Sequence, residues 1–221
     1  MKSSKRLKAP KQYEQGWAEF YKLRFKVSPD VLIPRPETEL LVDEVLNFAK
    51  DHPGLTVLDL GTGSGNIAIS LAVKDPTLKI IASDVSRKAL DLAKLNSKFH
   101  SVGKEVKFAL SDLLSNIKEE PDVIVTNLPY IPTERISYLD SSVKDFEPLI
   151  ALDGGADGFQ LYRKLFQQIS QLKWKSKLII GEIDYTHGEL AVNETQKNFP
   201  KAKIEVKTDL AKKQRVLVIR F

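Results

Sequence analysis

Val57-Leu58-Asp59-Leu60-Gly61-Thr62-Gly63-Ser64-Gly65-Asn66-Ile67-Ala68-Ile69 reads as a short apolar strand, a glycine-rich turn and the start of an amphipathic helix. Strand, glycine turn and helix in this order form the cofactor-binding opening of a doubly wound α/β sheet. Glycines at 61, 63 and 65 let the backbone turn tightly and approach a ligand with no Cβ in the way. The dinucleotide fingerprint Gly-x-Gly-x-x-Gly fails here, because its third glycine position is Asn66. No Gly-Lys-Ser/Thr follows, which excludes a phosphate-cradling P-loop.

Asp59, just before the turn, would repel a pyrophosphate but could hold a cationic ligand, or hydrogen-bond its ammonium through water. That points away from NAD and towards S-adenosylmethionine, with its sulfonium and ammonium, bound by Asp59 and the loop residues Gly61, Thr62, Gly63, Ser64 and Gly65. The next apolar run, Lys79-Ile80-Ile81-Ala82-Ser83-Asp84, ends in a carboxylate. Asp84 is placed to accept hydrogen bonds from both ribose hydroxyls of a nucleoside. Its blander reading is part of a helix N-cap region, with Ser86 capping the helix through Ala89, Leu90, Leu92, Ala93 and Leu95.

Asn127-Leu128-Pro129-Tyr130 follows the apolar run Val123-Ile124-Val125-Thr126, so it falls at the carboxyl end of a buried strand, where open α/β sheets place their chemistry. Asparagine offers an amide oxygen and an NH2, the following backbone carbonyls are further acceptors, and Tyr130 offers a flat apolar face. Together they could grip a planar group bearing an NH2. A strand-ending turn is the alternative, since Asn and Pro are ordinary turn residues.

The chain has 221 residues, 42% of them hydrophobic, enough for one sizeable core. No run approaches a membrane span, and Met1-Lys2-Ser3-Ser4-Lys5-Arg6 lacks the apolar stretch of a secretory signal, so a cytoplasmic location is expected. Without cysteine there is no disulfide or thiolate metal site, and His52, His100 and His187 are scattered, so no metal centre is expected and each histidine reads as a surface residue. The net charge of +5 fits work near nucleic acid, a ribosome or an acidic protein, although the lysines are dispersed among acids.

Strands are predicted at about 55–60, 79–83, 105–110, 122–126, 177–182, 203–207 and 214–220, with helices between the early ones and at Glu37–Lys50, Phe159–Leu172 and Gly188–Phe199. The alternation implies an α/β fold, a doubly wound, mostly parallel seven-stranded sheet covered on both faces. The last two strands have no helix between them and should form an antiparallel hairpin at one edge.

In this order of elements, with its closing hairpin, the chain resembles the class I S-adenosylmethionine-dependent methyltransferases. More narrowly it resembles the HemK/PrmC glutamine methyltransferases, which methylate the side-chain amide of the Gly-Gly-Gln motif of peptide-chain release factors. The similarity runs from Trp17 to Phe221. It rests on the segment Phe20 to Pro29, Val31-Leu32-Ile33-Pro34-Arg35-Pro36-Glu37-Thr38-Glu39, the glycine loop, Thr126 to Pro132, Phe146-Glu147-Pro148-Leu149-Ile150-Ala151-Leu152 and Asp209 to Arg215. The Arg-Pro-Glu-Thr-Glu and Phe-Glu-Pro-Leu blocks mark this family among methyltransferases, whereas the glycine loop is shared by many. The family usually has two prolines after the asparagine; here position 128 is leucine, as in rRNA adenine dimethyltransferases. Members usually begin with a helical domain, so residues 1–16 are expected to be a basic extension and 17–221 the methyltransferase domain. A monomer is expected unless a partner chain replaces that helical domain.

The resemblance implies that Asp112 lies near the adenine, with Leu113 in place of a frequent aromatic. It lifts Arg35, Glu37 and Glu39 from an ordinary first helical turn, where acids suit the helix dipole, towards the mouth of the active site. Pro132 to Gly158 is long for a connection and reads as a substrate-pocket wall. The catalytic group is then Asn127, Leu128, Pro129 and Tyr130, with Asn127 also touching the cofactor at the pocket edge. The Asn127 oxygen and the Leu128 carbonyl would accept both amide hydrogens of the substrate, and Tyr130 would wall off water. The alternative substrate is the N6 amine of adenine in RNA or DNA; a non-enzymatic partner subunit is disfavoured by the intact loop, Asp84 and Asn127.

Overall fold

The computed structural model describes residues 8–221; residues 1–7 of the expected basic extension lie outside the described residues. The described residues open with helix α1 (Lys11–Gln15) and a hairpin of β1 (Trp17–Phe20) and β2 (Leu23–Lys26), which the apolar periodicity does not announce. Its two-residue turn places Tyr21 and Lys22 at φ 51° and 61°, the primed-turn geometry that suits the twist of paired strands.

A 3-10 turn at Pro36–Thr38 leads into α2 (Glu39–Ala49). The alternating part comprises β3 (Thr56–Leu60), α3 (Asn66–Lys74), β4 (Lys79–Asp84), α4 (Arg87–Phe99), β5 (Val106–Leu110) and β6 (Val123–Thr126). After a long irregular connection holding α5 (Ser141–Lys144) come α6 (Gln160–Leu172), β7 (Leu178–Glu182), α7 (Gly188–Asn198), β8 (Lys203–Thr208) and β9 (Gln214–Arg220). The seven strands are ordered β5-β4-β3-β6-β7-β9-β8, parallel from β5 to β7. The expected hairpin is present, with a bulge at Lys207/Thr208; β9 is inserted antiparallel beside β7, so β8 is the edge.

The near-continuous apolar strands follow from burial on both faces. Alternate residues Val57, Val125, Ile180 and Val218 join one cluster under α2 and α3. Their neighbours Leu58, Ile124, Ile179 and Ile219 join another, with Phe159, Tyr162, Leu165 and Phe166 around α6. A smaller cluster of Ala18, Val27, Val31, Ile33 and Ala89 packs the N-terminal hairpin region against α4. Asn96, fully buried on α4, fastens this arrangement. Its Oδ1 accepts the N–H of Lys26 at 2.8 Å, and its Nδ2 donates to Lys26 O at 3.0 Å and Ser64 O at 2.8 Å. One side chain thereby satisfies the hairpin and the glycine turn, groups that would be costly to bury unpaired.

Strand order reverses on the two sides of β3, whose successors β4 and β6 lie to its left and right. Such a switch point opens a crevice outside the carboxyl ends of the strands. Among the described residues, no helix is long and apolar enough to cross a membrane.

Candidate active site

At the switch point, β3 ends in the glycine turn. Gly61, Gly63 and Gly65 have φ of 74°, 54° and 83°, the left-handed region that side chains disfavour. Gly65 is further constrained by space, because a Cβ there would lie 2.8 Å from Ile69 Cδ1 and 3.2 Å from Ala93 Cβ. Thr62 and Ser64 line the cavity with the glycines at 61 and 63, whereas Gly65 lies behind them, buried.

Asp59 does not itself line the cavity. It is fully buried beneath the turn; Oδ2 accepts from Thr62 Oγ1 at 2.6 Å and from the N–H of Ala68 at 3.0 Å. Its carboxylate is therefore spent on bracing the loop and the first turn of α3. Oδ1 has no protein partner, and burial pushes the acid up to about 7 against the opposing pull of those two hydrogen bonds.

Asp84, at the end of β4, faces the cavity. Oδ2 accepts the N–H of Gly63 at 2.9 Å and Oδ1 the N–H of Ser86 at 2.8 Å, while Ser86 caps α4 by accepting from Ala89 N. The two readings of Asp84 are thus not exclusive: it is braced by backbone donors and still borders the crevice. Burial raises its pKa, opposed by these N–H donors.

Beyond β5, Ser111, Asp112 and Leu113 form a third part of the wall. Leu113 is buried and sits at φ 49°, and Asp112 pairs at the rim with Lys164 at 2.5 Å.

Asn127 and Pro129 line the cavity from the end of β6, as does Leu128. The side chain of Leu128 is buried in the α6-side core, and its Cδ2 is 3.7 Å from where a Gly61 Cβ would be, so position 128 supplies packing as well as a carbonyl. Tyr130 is not part of the cavity wall. Its hydroxyl donates to Glu182 Oε1 at 2.9 Å, which ties the side chain to the end of β7.

Two residues behind Asn127 escaped the sequence reading. Thr38, buried at the start of α2, accepts from Asn127 Nδ2 at 3.1 Å and donates to Glu182 Oε2 at 2.6 Å. Glu182, at the end of β7, is 1% exposed, and burial raises its pKa against hydrogen bonds from Thr38 and Tyr130. The signal was available: a carboxylate ending a buried strand, as with Asp84.

The cavity is about 310 Å³. Its outer side is made by Asp30 to Leu32, Pro34 and Arg35, facing Ile150 and Ala151 of the long connection. Glu147, buried, joins these two walls by pairing with Arg35 and accepting the N–H of Ile33 at 3.4 Å. Glu37 stays exposed, and Glu39 accepts the N–H of Tyr21 at 2.7 Å, so only Arg35 of that charged trio borders the cavity. The connection folds back on the Asn127 segment: Ile131 N donates to Leu152 O at 3.0 Å and Gly154 N to Ile131 O at 2.9 Å. His187, read as a surface residue, is 5% exposed and meets Phe159 edge-on at 6.1 Å, because the turn before α7 packs under Gly158.

A glycine turn, an acid ending the next strand and an asparagine across the switch point define an α/β methyltransferase. In agreement, residues 36–139 match the family described as methyltransferase small domain. The catalytic domain of human Mettl16, in complex with a MAT2A 3'UTR hairpin, superposes with a TM-score of 0.73 at 15% identity, covering 89% of this chain and 75% of that one. The N-terminal domain of human METTL16 in complex with SAH gives 0.62 at 15% identity, covering 89% and 75%. These share the fold. The sequence relatives are nearer: this chain is 39% identical over 214 residues to the release factor glutamine methyltransferase of Bacillus cereus, covering 94% of this chain and 75% of the relative. The protein of that name from Lactococcus lactis is 39% identical over 220 residues, covering 98% and 80%. The chain belongs to the release factor glutamine methyltransferase family.

Proposed function

We propose that this protein methylates the side-chain amide nitrogen of the glutamine in the Gly-Gly-Gln motif of a peptide-chain release factor, in the cytoplasm and close to the ribosome, with S-adenosylmethionine as donor. The observation that carries the reading is the orientation of Asn127. Its NH2 is engaged by Thr38, and its oxygen, with no partner among the described residues, is left as an acceptor on the cavity wall.

The residues present suit the cofactor. Asp84 and the backbone at Gly61 to Ser64 would hold a nucleoside and its polar tail, and Leu113 and Leu161 would face its base. When bound, S-adenosylmethionine supplies a methyl already activated by its sulfonium. No base with a tuned pKa is then needed; the protein must hold a weak nucleophile in line. The Asn127 oxygen and the Leu128 carbonyl accept the two amide hydrogens, which discourages conjugation of the nitrogen lone pair with its own carbonyl. Pro129 and the Ile150–Ala151 wall exclude water. One amide proton is lost to solvent as the N–CH3 bond forms.

The test supplies radioactive cofactor with purified release factor, with the factor lacking the glutamine, and with ribosomal RNA in parallel. Label should enter only the intact factor. Label in RNA and none in the factor would move the substrate to the adenine amine.

A further inference from the structure

Glu182, Thr38 and Asn127 come from the end of β7, the start of α2 and the end of β6, and meet at the cavity wall, which Thr38 and Asn127 line and Glu182 backs. Glu182 is 1% exposed, Thr38 2%. Both carboxylate oxygens of Glu182 accept from hydroxyls, Oε2 from Thr38 at 2.6 Å and Oε1 from Tyr130 at 2.9 Å. Its backbone carbonyl accepts from Tyr162 at 2.6 Å, which holds the strand end in place. A threonine hydroxyl has one hydrogen. Because Thr38 gives that hydrogen to Glu182, it can only accept from Asn127, and it does so at 3.1 Å.

We infer that Glu182 is a positioning residue for methyl transfer: acting through Thr38, it determines which end of the Asn127 amide faces the cavity. This rests on the amide-methylation reading above. A carboxylate has acceptors and no donor. It therefore polarises the relay in one direction, Asn127 NH2 to Thr38 to Glu182, and leaves the Asn127 oxygen towards the substrate. The same carboxylate holds the Tyr130 hydroxyl, so both ends of the Asn127–Tyr130 segment are tied to one buried charge. Without the carboxylate, Thr38 is free to donate to the Asn127 oxygen. The amide then turns over and presents an NH2 to the substrate NH2, donor against donor. Inside a buried site such a mismatch is expensive.

Glu182→Gln and Thr38→Val keep the shape and disturb the polarity; Thr38→Ser keeps the hydroxyl. On the release factor, the first two should lower kcat by roughly 100-fold with cofactor Kd within a few-fold of wild type, while Thr38→Ser stays within a few-fold of wild-type kcat. The double variant Glu182→Gln/Thr38→Val should be little worse than either single, since both break one relay. The side-chain amide of Asn127 gives a readout that needs no substrate. By 15N NMR its Nδ2 hydrogens should exchange slowly in the wild type and faster in Thr38→Val. Near-normal turnover in folded Thr38→Val, equal losses in Thr38→Ser and Thr38→Val, or unchanged exchange of the Asn127 amide would each overturn the inference. Failure of the wild type to label release factor would instead count against the proposed substrate, and the exchange measurement would still decide the relay.

Discussion

Asp84 Oδ2 accepts the backbone N–H of Gly63 at 2.9 Å, so the carboxylate that ends β4 also clamps the tip of the glycine turn that ends β3. The acid and the loop are one unit: whatever positions Asp84 for a ribose also fixes the backbone that approaches the rest of the nucleoside. Asp84→Ala should weaken S-adenosylmethionine binding by about 1 to 3 kcal/mol, the cost of removing a charged hydrogen-bond acceptor. Titration calorimetry checks this, and unchanged affinity would remove Asp84 from the cofactor site.

Asn127→Ala removes the acceptor on the cavity wall and leaves the glycine turn and Asp84 in place. Cofactor affinity should stay within a few-fold while turnover falls by roughly 100-fold or more, as when a positioning group is lost. Near-normal turnover in a folded variant would show that the amide is gripped elsewhere.

Leu128→Pro would bring the motif to the family's usual two prolines. From the sequence it reads as nearly silent, since only the carbonyl at 128 is required. That expectation concerns turnover; the packing of the side chain adds one for stability. Leu128 is 4% exposed and its side chain fills space beside Gly61, so shortening it should lower stability by about 1 to 3 kcal/mol. Urea denaturation of the two proteins checks the loss of stability, and a methyl-transfer assay checks the unchanged turnover.

Asp59 gives a pH dependence with a definite sign. Its folded-state pKa, about 7, lies above the unfolded value of 3.8, so the native state binds the extra proton between these limits. Its contribution to stability is fully present below the unfolded pKa and is lost as pH rises through the folded value. Burial raises Asp84 and Glu182 as well, so their contributions have the same sign. Asp59→Asn should therefore show a smaller fall in melting temperature from about pH 5 to pH 8 than the wild type. Parallel curves for the two proteins would mean that Asp59 keeps an ordinary acidity.

Much of the fold was legible because its signals are local. Seven short runs with apolar residues gave the strands, the central ones β6 and β7 buried along their whole length, and helix starts such as Pro36 and Ser86 gave the intervening elements. The hairpin Trp17–Lys26 was not legible. Its turn is Tyr21-Lys22, without the Asn or Gly that usually marks two left-handed residues, and its four-residue strands are too short to show alternation. Asp84 and Asn127 could be found by their place at strand ends. Glu182 occupies the same kind of place but follows Gly181, at the end of a run that reads simply as core.

By itself, the sequence determined the parallel sheet, the glycine turn with its three left-handed residues, the class of cofactor and the strand ends where the chemistry gathers. These depend on residues near one another in the chain. Only the tertiary structure decided that Asp59 braces the loop from below, that the Tyr130 hydroxyl is tied to Glu182, and that Thr38 and Glu182 aim the Asn127 amide. The reason is physical: a hydrogen-bonded group is polarised by its last partner, and here Asn127 and Thr38 are 89 residues apart and Thr38 and Glu182 are 144 apart, brought together only when the sheet has formed.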